Sequence, residues 1–456
     1  MKTQRPLNVN ERLLWSIDQN VPLSFVMIAH LTGRLNKTVL KQALNIVRGR
    51  EPALKCEIKF KKDKPVYDRN WLSDIPLKIE TRKDSDRWLT IAEEEMQEPL
   101  KQKRKPLVRV RHLVSPGNDE SDLLITFSHV IADATSGVIF VKKLLSTANA
   151  LRKYQGENFL TKPLLFMHKL LNFLEHPVHT FSSVMLKRRL PAPVDLLKDK
   201  TGSPMTKADS DPDNREPVTL PLDREVPATE RKNRVIHKML TKKEAKKILS
   251  RCRKEKTTVH GTICAALLQA LVMDIKENNR KNNGEVKNGP LKIGCLTPVN
   301  IRRHLSMDVG DNMGNFISNA VHFQLIDDKV PLWEAAGNVK KALQEELDSG
   351  NDIKGLINWG KNTSPENVLK DIDKLNIPAA VTNLGFLDID EQFGSLTLNN
   401  LHFTVSMNPT VPIGIAVTSF HGPITLNFIY LEPCLKKERA ENIVENTMKR
   451  LLNVLQ

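Results

Sequence analysis

Between Leu123 and Phe127 the chain runs apolar, changes character at Ser128-His-Val-Ile-Ala-Asp-Ala134, and then continues through Ser136 and Gly137 into a second apolar pattern ending near Leu151. That pattern predicts a buried strand, a tight turn and a helix, and no other stretch limits the fold so narrowly. A strand end fixes where a side chain points. His129 sits at that end, and an imidazole has its neutral form available near pH 7, so the position suits a general base. Asp133 follows four residues later. In a chain with 12 histidines and 53 acidic residues such a spacing also arises by chance. The strand, the small-residue turn and the mid-chain position together point to a site.

At 456 residues the chain exceeds one ordinary core, and two domains of about 200 residues are expected. The first, 1–190, reads as a helix at Asn8 to Asp18, a strand at Phe25 to Leu31, and a helix at Lys37 to Arg50 with Val39, Leu40, Ala43, Leu44 and Val47 on one face. A strand at Leu54 to Phe60, a polar helix near 86–97 and a strand at Leu107 to Val114 lead to the His129 segment. Residues 191–233 are rich in Pro, Asp, Ser and charge, including Asp209-Ser-Asp-Pro-Asp213, which is linker composition. The second domain, 234–456, opens with a strand to Leu240, and Thr241-Lys-Lys-Glu244 fits a helix capping box. An apolar helix at Ile263 to Ile275 follows, with His260 at its start read as structural. Strands are expected at Leu291 to Val299, Leu401 to Met407, Ile413 to Phe420 and Ile424 to Tyr430, with a closing helix from Lys436 to Leu455.

The segment 128–134 resembles the His-His-x-x-x-Asp-Gly signature of the condensation-domain and chloramphenicol-acetyltransferase-like superfamily, which includes BAHD acyltransferases, alcohol acetyltransferases, polyketide-associated acyltransferases and peptide-synthetase condensation domains. Val299-Asn-Ile-Arg-Arg303 is similar to the Val-Asp-x-Arg element of that group, Asp311-Asn-Met-Gly-Asn-Phe316 to its Gly-Asn element, and Val381-Thr-Asn-Leu-Gly385 to its Ser-Asn-Leu-Gly strand. These stand in the family's order along nearly the whole chain. Two positions depart. Ser128 replaces the first histidine, which argues against ordinary peptide-bond formation, and Ala134 replaces a glycine that would permit conformations alanine resists. The BAHD signature Asp-Phe-Gly-Trp-Gly is absent.

The resemblance implies an α/β fold of two-layer α+β sandwiches, two chloramphenicol-acetyltransferase-like subdomains forming a V-shaped pseudo-dimer. It implies an acyltransferase moving an acyl group from a coenzyme A or carrier-protein thioester to an alcohol, with His129 as general base between the halves. Asp133 would then be structural, paired with Arg302, or failing that Arg303. Asn383 and Thr382 are candidate oxyanion donors, though Asn383 equally suits a turn or strand-pairing role. Ser128, Ser136 and Gly137 are candidate substrate contacts beside a pantetheine arm. No cofactor is expected to stay bound and no metal site is expected; the acyl-CoA or phosphopantetheinyl thioester is a co-substrate. A free-standing condensation domain that makes an amide, and a catalytically silent member that only recruits a carrier, remain open.

Charge narrows the partners. The balance of 69 basic and 53 acidic residues gives +16, compatible with nucleic acid, an anionic membrane surface, or the phosphates of a carrier or coenzyme A. Aromatic residues make up only 5% and do not interleave with the basic runs, so single-strand stacking is disfavoured and no nucleic-acid partner is expected. The recurrent apolar residues of 157–190 read as a core helix, or as an amphipathic surface at a lipid entrance or on a membrane. Five scattered cysteines without a Cys-x-x-Cys pair, and an N-terminus without an apolar signal core, lead us to expect a cytoplasmic protein with reduced thiols, and a monomer.

Overall fold

A computed structural model describes residues 4–61, 64–69, 74–100, 106–117, 119–155, 215–281, 289–305, 308–355, 377–407 and 411–453. The apolar segment 157–190, the linker as far as residue 214 and the basic run 101–105 lie outside the described residues.

The first half opens with β1 (Gln4–Pro6), α1 (Val9–Asn20), β2 (Ser24–Thr32), α2 (Lys37–Arg50), β3 (Cys56–Lys61), β4 (Lys64–Arg69) and β5 (Leu77–Thr81). It continues through α3 (Arg87–Gln97), β6 (Val108–Val114), β7 (Glu120–Ser128) and α4 (Ala134–Gln155). The second half contains β8 (Lys232–Leu240), α5 (Lys242–Lys254), α6 (Val259–Lys281), β9 (Leu291–Asn300), β10 (Ile317–Ile326), α7 (Leu332–Ser349), β11 (Ala379–Phe386), β12 (Gln392–Phe393), β13 (Leu396–Val405), β14 (Ile413–Ser419), β15 (Ile424–Glu432) and α8 (Lys437–Asn453).

These strands form two six-stranded sheets, ordered β12-β13-β2-β7-β6-β5 and β10-β9-β11-β14-β15-β8, and a small sheet β1-β4-β3. Each large sheet is mixed: β5 runs parallel to β6, and β11 runs parallel to both β9 and β14. The fold is therefore mixed α/β, built from two similar sheet-and-helix halves. Strands β2 and β7 are central and buried on both faces, so they read as continuous apolar runs and not as alternations.

Helix starts follow from local chemistry. Asn8 and Glu11 close a capping box on α1, and Thr241 and Glu244 close one on α5, where the sequence places it. By length and composition α6 could cross a membrane, with a mean hydropathy of 1.3. In the fold it is the buried core helix of the second half, and its one mid-helix amide, Gln269, donates to the carbonyls of Asp327 and Val330.

The expected division into 1–190 and 234–456 meets one correction. Strands β12 and β13, inside the second range, leave the second sheet and complete the first. Strand β13 pairs antiparallel with β2 from Thr397↔Thr32 to Val405↔Phe25. It thereby covers what would otherwise be an open, apolar edge of β2. A segment of the second half thus belongs structurally to the first.

Candidate functional site

Strand β7 ends at Ser128, register partner of Ser24 on β2. The turn that follows is held from several directions. The His129 N–H donates to the Leu23 carbonyl at 3.0 Å, and the Tyr67 hydroxyl donates to the Val130 carbonyl at 2.9 Å. From the second half, Asn315 Nδ2 donates to the His129 carbonyl at 2.6 Å, and Asn315 Oδ1 accepts from Asn10 of α1 at 3.2 Å. The Asp133 N–H donates to the Gly314 carbonyl at 3.2 Å. A backbone pinned on both sides fixes where the His129 ring is presented, and the Phe25 ring packs against it with centroids 4.9 Å apart.

Asp133 begins α4. Its Oδ1 accepts from the Ser136 N–H at 2.8 Å, as an N-cap does. Arg302 meets the same carboxylate with both guanidinium nitrogens, Nη1 to Oδ2 at 2.7 Å and Nη2 to Oδ1 at 2.9 Å. The Phe316 N–H adds a fourth bond to Oδ2 at 2.9 Å, and the Phe316 ring lies 4.6 Å from the guanidinium carbon. Burial alone would raise this carboxyl; the Arg302 charge and these hydrogen bonds outweigh it and hold Asp133 below its ordinary range. With its oxygens so occupied, Asp133 positions the loop. The expected partner, Arg302, is the residue in place, while Arg303 is exposed.

The three expected substrate contacts at 128, 136 and 137 face protein and are not among the residues lining the cavity described below, with a separate cause at each. Ser128 is buried, and its hydroxyl accepts from the Val130 N–H at 3.3 Å. The Ser136 hydroxyl donates to the Gly314 carbonyl at 2.7 Å and accepts from the Gly314 N–H at 3.0 Å and Arg302 Nη2 at 2.9 Å, locking the two halves together. Gly137 lets α4 approach β2, because a Cβ there would stand 2.6 Å from Met27 Cγ and 2.9 Å from Phe25 Cε2.

The His129 ring lines a mostly apolar cavity of about 190 Å³ between the two sheets. Its walls come from both halves: Leu14, Ile17 and Leu23 from the first, Leu296 and Ile415 from the second, and Phe403 from the exchanged strand. Polar groups are few, among them Asn300, Asn319, Thr382 and Asn383. Nδ1 of His129 is enclosed by protein, so Nε2 is the nitrogen left to face the cavity. Burial pushes the imidazole down to about 4; the nearby Asp133 charge and the Ala132 backbone act the other way but do not win. The ring is therefore neutral across the physiological range.

Asn383 and Thr382 reach the same cavity on β11. Asn383 Oδ1 accepts from the Gly385 N–H at 2.8 Å, where a positive φ of 67° at Gly385 and a register shift bend the strand. That bond leaves Nδ2 as the available end of the amide. The sequence singled out the Gly314-Asn315 element without a role; its clamp on His129 and Asp133, and the contribution of Asn10, emerge only in three dimensions.

Residues 20–166 match the condensation-domain family model, and residues 229–430 match the model of the phthiocerol/phthiodiolone dimycocerosyl transferase C-terminus. This is the condensation-domain fold, with one family model matched in each half of the chain. Among solved structures, a trichothecene 15-O-acetyltransferase from Fusarium sporotrichioides is similar at a TM-score of 0.67 and 13% identity, over 98% of this chain and 95% of that one. The first condensation domain of the calcium-dependent antibiotic synthetase is similar at 0.65 and 12%, over 100% and 96%. Polyketide synthase associated protein 5 from Mycobacterium tuberculosis is similar at 0.59 and 13%, over 99% and 98%. At these identities the structures speak for the condensation-domain fold, whose two halves here enclose the cavity holding His129.

Proposed function

We propose that the protein is an acyltransferase that moves an acyl group from a thioester, carried by coenzyme A or by the phosphopantetheinyl arm of a carrier protein, to an alcohol. The observation that carries this reading is a neutral imidazole fixed in an apolar cavity between the halves. A thioester is already activated, so the reaction needs only a deprotonated nucleophile and a stabilised tetrahedral oxyanion. His129 Nε2 accepts the hydroxyl proton as the oxygen attacks and returns it to the departing thiolate. Asn383 Nδ2 and the Thr382 hydroxyl are the donors nearest in kind to what the oxyanion requires.

The cavity falls below the roughly 300–1,000 Å³ usual for whole-ligand pockets, which suits the reacting ends of two substrates more than either complete molecule. Its apolar lining suits a hydrocarbon acyl group or acceptor.

The reading is tested by incubating the protein with acyl-CoAs of several lengths, with and without candidate alcohols and amines, and following thiol release. Alcohol-dependent release with an ester mass supports it. Amide formation makes the protein a condensation enzyme, and no release with any donor, coenzyme A or carrier-bound, overturns the catalytic reading.

A further inference from the structure

Helix α5 carries seven basic residues and one acid, Glu244, within Lys242–Lys254. Its buried stripe is narrow, made of Ala245, Ile248 and Cys252. At 3.6 residues per turn the opposite side gathers Lys242, Lys243, Lys246, Lys247, Arg253 and Lys254 into one arc of about 140°, with Ser250 among them. All six cations are exposed. The acids of the stretch fall outside the arc: Glu244 closes the capping box on Thr241, and Glu255 pairs with Arg251 at 2.9 Å.

The helix is fastened to the body on its other sides. The Arg251 guanidinium lies 5.7 Å over the Trp333 ring of α7, and Cys252 Sγ lies 3.3 Å from the Thr262 hydroxyl of α6. Lys340 of α7, itself exposed, donates to the Lys256 carbonyl at 2.9 Å and carries the positive surface past the helix end. Two large apolar side chains break the surface beside the arc. Met239, two residues before the cap, is 49% exposed, and Leu249, about two turns from Lys242 on the same side, is 41% exposed.

We propose that α5 docks the protein on an anionic phospholipid surface, with the cations of the arc among the headgroup phosphates and Leu249 and Met239 at the acyl boundary. The charge of the arc calls for a polyanion, and its residue types select a bilayer among polyanions. Five of the six cations are lysines, whose flexible apolar stems and compact charges suit headgroups of no fixed geometry. The core of a protein interface is depleted in lysine and anchored by aromatic or arginine side chains in pockets. The helix holds no aromatic ring on which a nucleic-acid base could stack. The apolar lining of the His129 cavity suits substrates drawn from such a surface, while the docking itself rests on α5 and stands apart from the acyl-transfer reading.

The test is co-sedimentation of the full chain with vesicles of phosphatidylcholine, alone or with about 30% phosphatidylserine, in about 0.15 M salt. Binding is expected only with phosphatidylserine and should be lost at high salt. Lys243→Glu, Lys246→Glu and Lys254→Glu in one chain should weaken it at least about tenfold, and the milder Lys→Gln triple at the same positions should act in the same direction. Lys37→Glu, Lys41→Glu and Lys78→Glu, at exposed lysines of the first half, make the same change in net charge and should leave binding within about twofold. Leu249→Ser should weaken binding at unchanged charge. No binding to the phosphatidylserine vesicles would overturn the inference, as would equal binding to phosphatidylcholine alone or equal losses from the two Glu triples. An acidic carrier domain bound through the same lysines, with no vesicle binding, would overturn it in favour of a protein partner.

Discussion

Arg302 grips Asp133 with two parallel hydrogen bonds of 2.7 and 2.9 Å, joining the start of a first-half helix to the end of a second-half strand 169 residues away. The pair is almost wholly buried, with side-chain exposures of 11% and 1%. It is the fastening that sets the loop bearing His129, and removing one partner leaves a buried charge unanswered.

Arg302→Ala should therefore cost on the order of 3–5 kcal/mol of folding stability, measured by urea unfolding. Arg302→Lys should recover only part of it, because an ammonium cannot make the paired contact. Arg303→Ala, at an exposed neighbour, should stay within about 0.5 kcal/mol of the parent. Equal losses at 302 and 303 would contradict this role.

At Gly137 any side chain meets Met27 and Phe25. Gly137→Ala should cost about 1–3 kcal/mol by overpacking, with turnover of the surviving folded fraction close to normal. A stable variant with selectively weakened thioester binding would favour the substrate-contact role over the packing role.

The buried histidines set an acid limit. Burial holds His112, His129 and His260 near 4, and lowers His237 and His402 as well. Such a group is neutral when folded but takes a proton at the ordinary value of 6.5 once unfolded. The unfolded state then binds more protons between those values, so stability falls as pH drops from 6.5 towards 4. His322 acts in the opposite sense: burial lowers it, but Cys295 and Gln324 raise it overall. Urea midpoints taken from pH 7.5 to pH 4 should decline across that window, ahead of carboxylate protonation. A flat midpoint down to pH 4.5 would contradict the assignment.

Much of this was legible in the chain. The strand-turn-helix at 123–151 is written in local pattern, and Thr241 with Glu244 caps its helix as the residues require. Strand β10 is less visible, because its core-facing positions include Ser318, His322 and Gln324 while Phe323 is 36% exposed, which inverts the apolar alternation. The transfer of β13 to the first sheet depends on which edge is open, a property of the assembled halves. Ser136 illustrates the same limit: a small polar residue beside a motif suggests substrate, whereas its hydroxyl is consumed by Gly314 and Arg302.

The central claim is that the His129 imidazole takes the acceptor's proton. Its most direct test is the turnover of His129→Ala with a thioester and alcohol pair accepted by the parent protein, alongside an unfolding curve that confirms the fold. The account predicts a loss of at least about a hundredfold with the unfolding midpoint retained. Turnover near the parent's in a folded variant would contradict it.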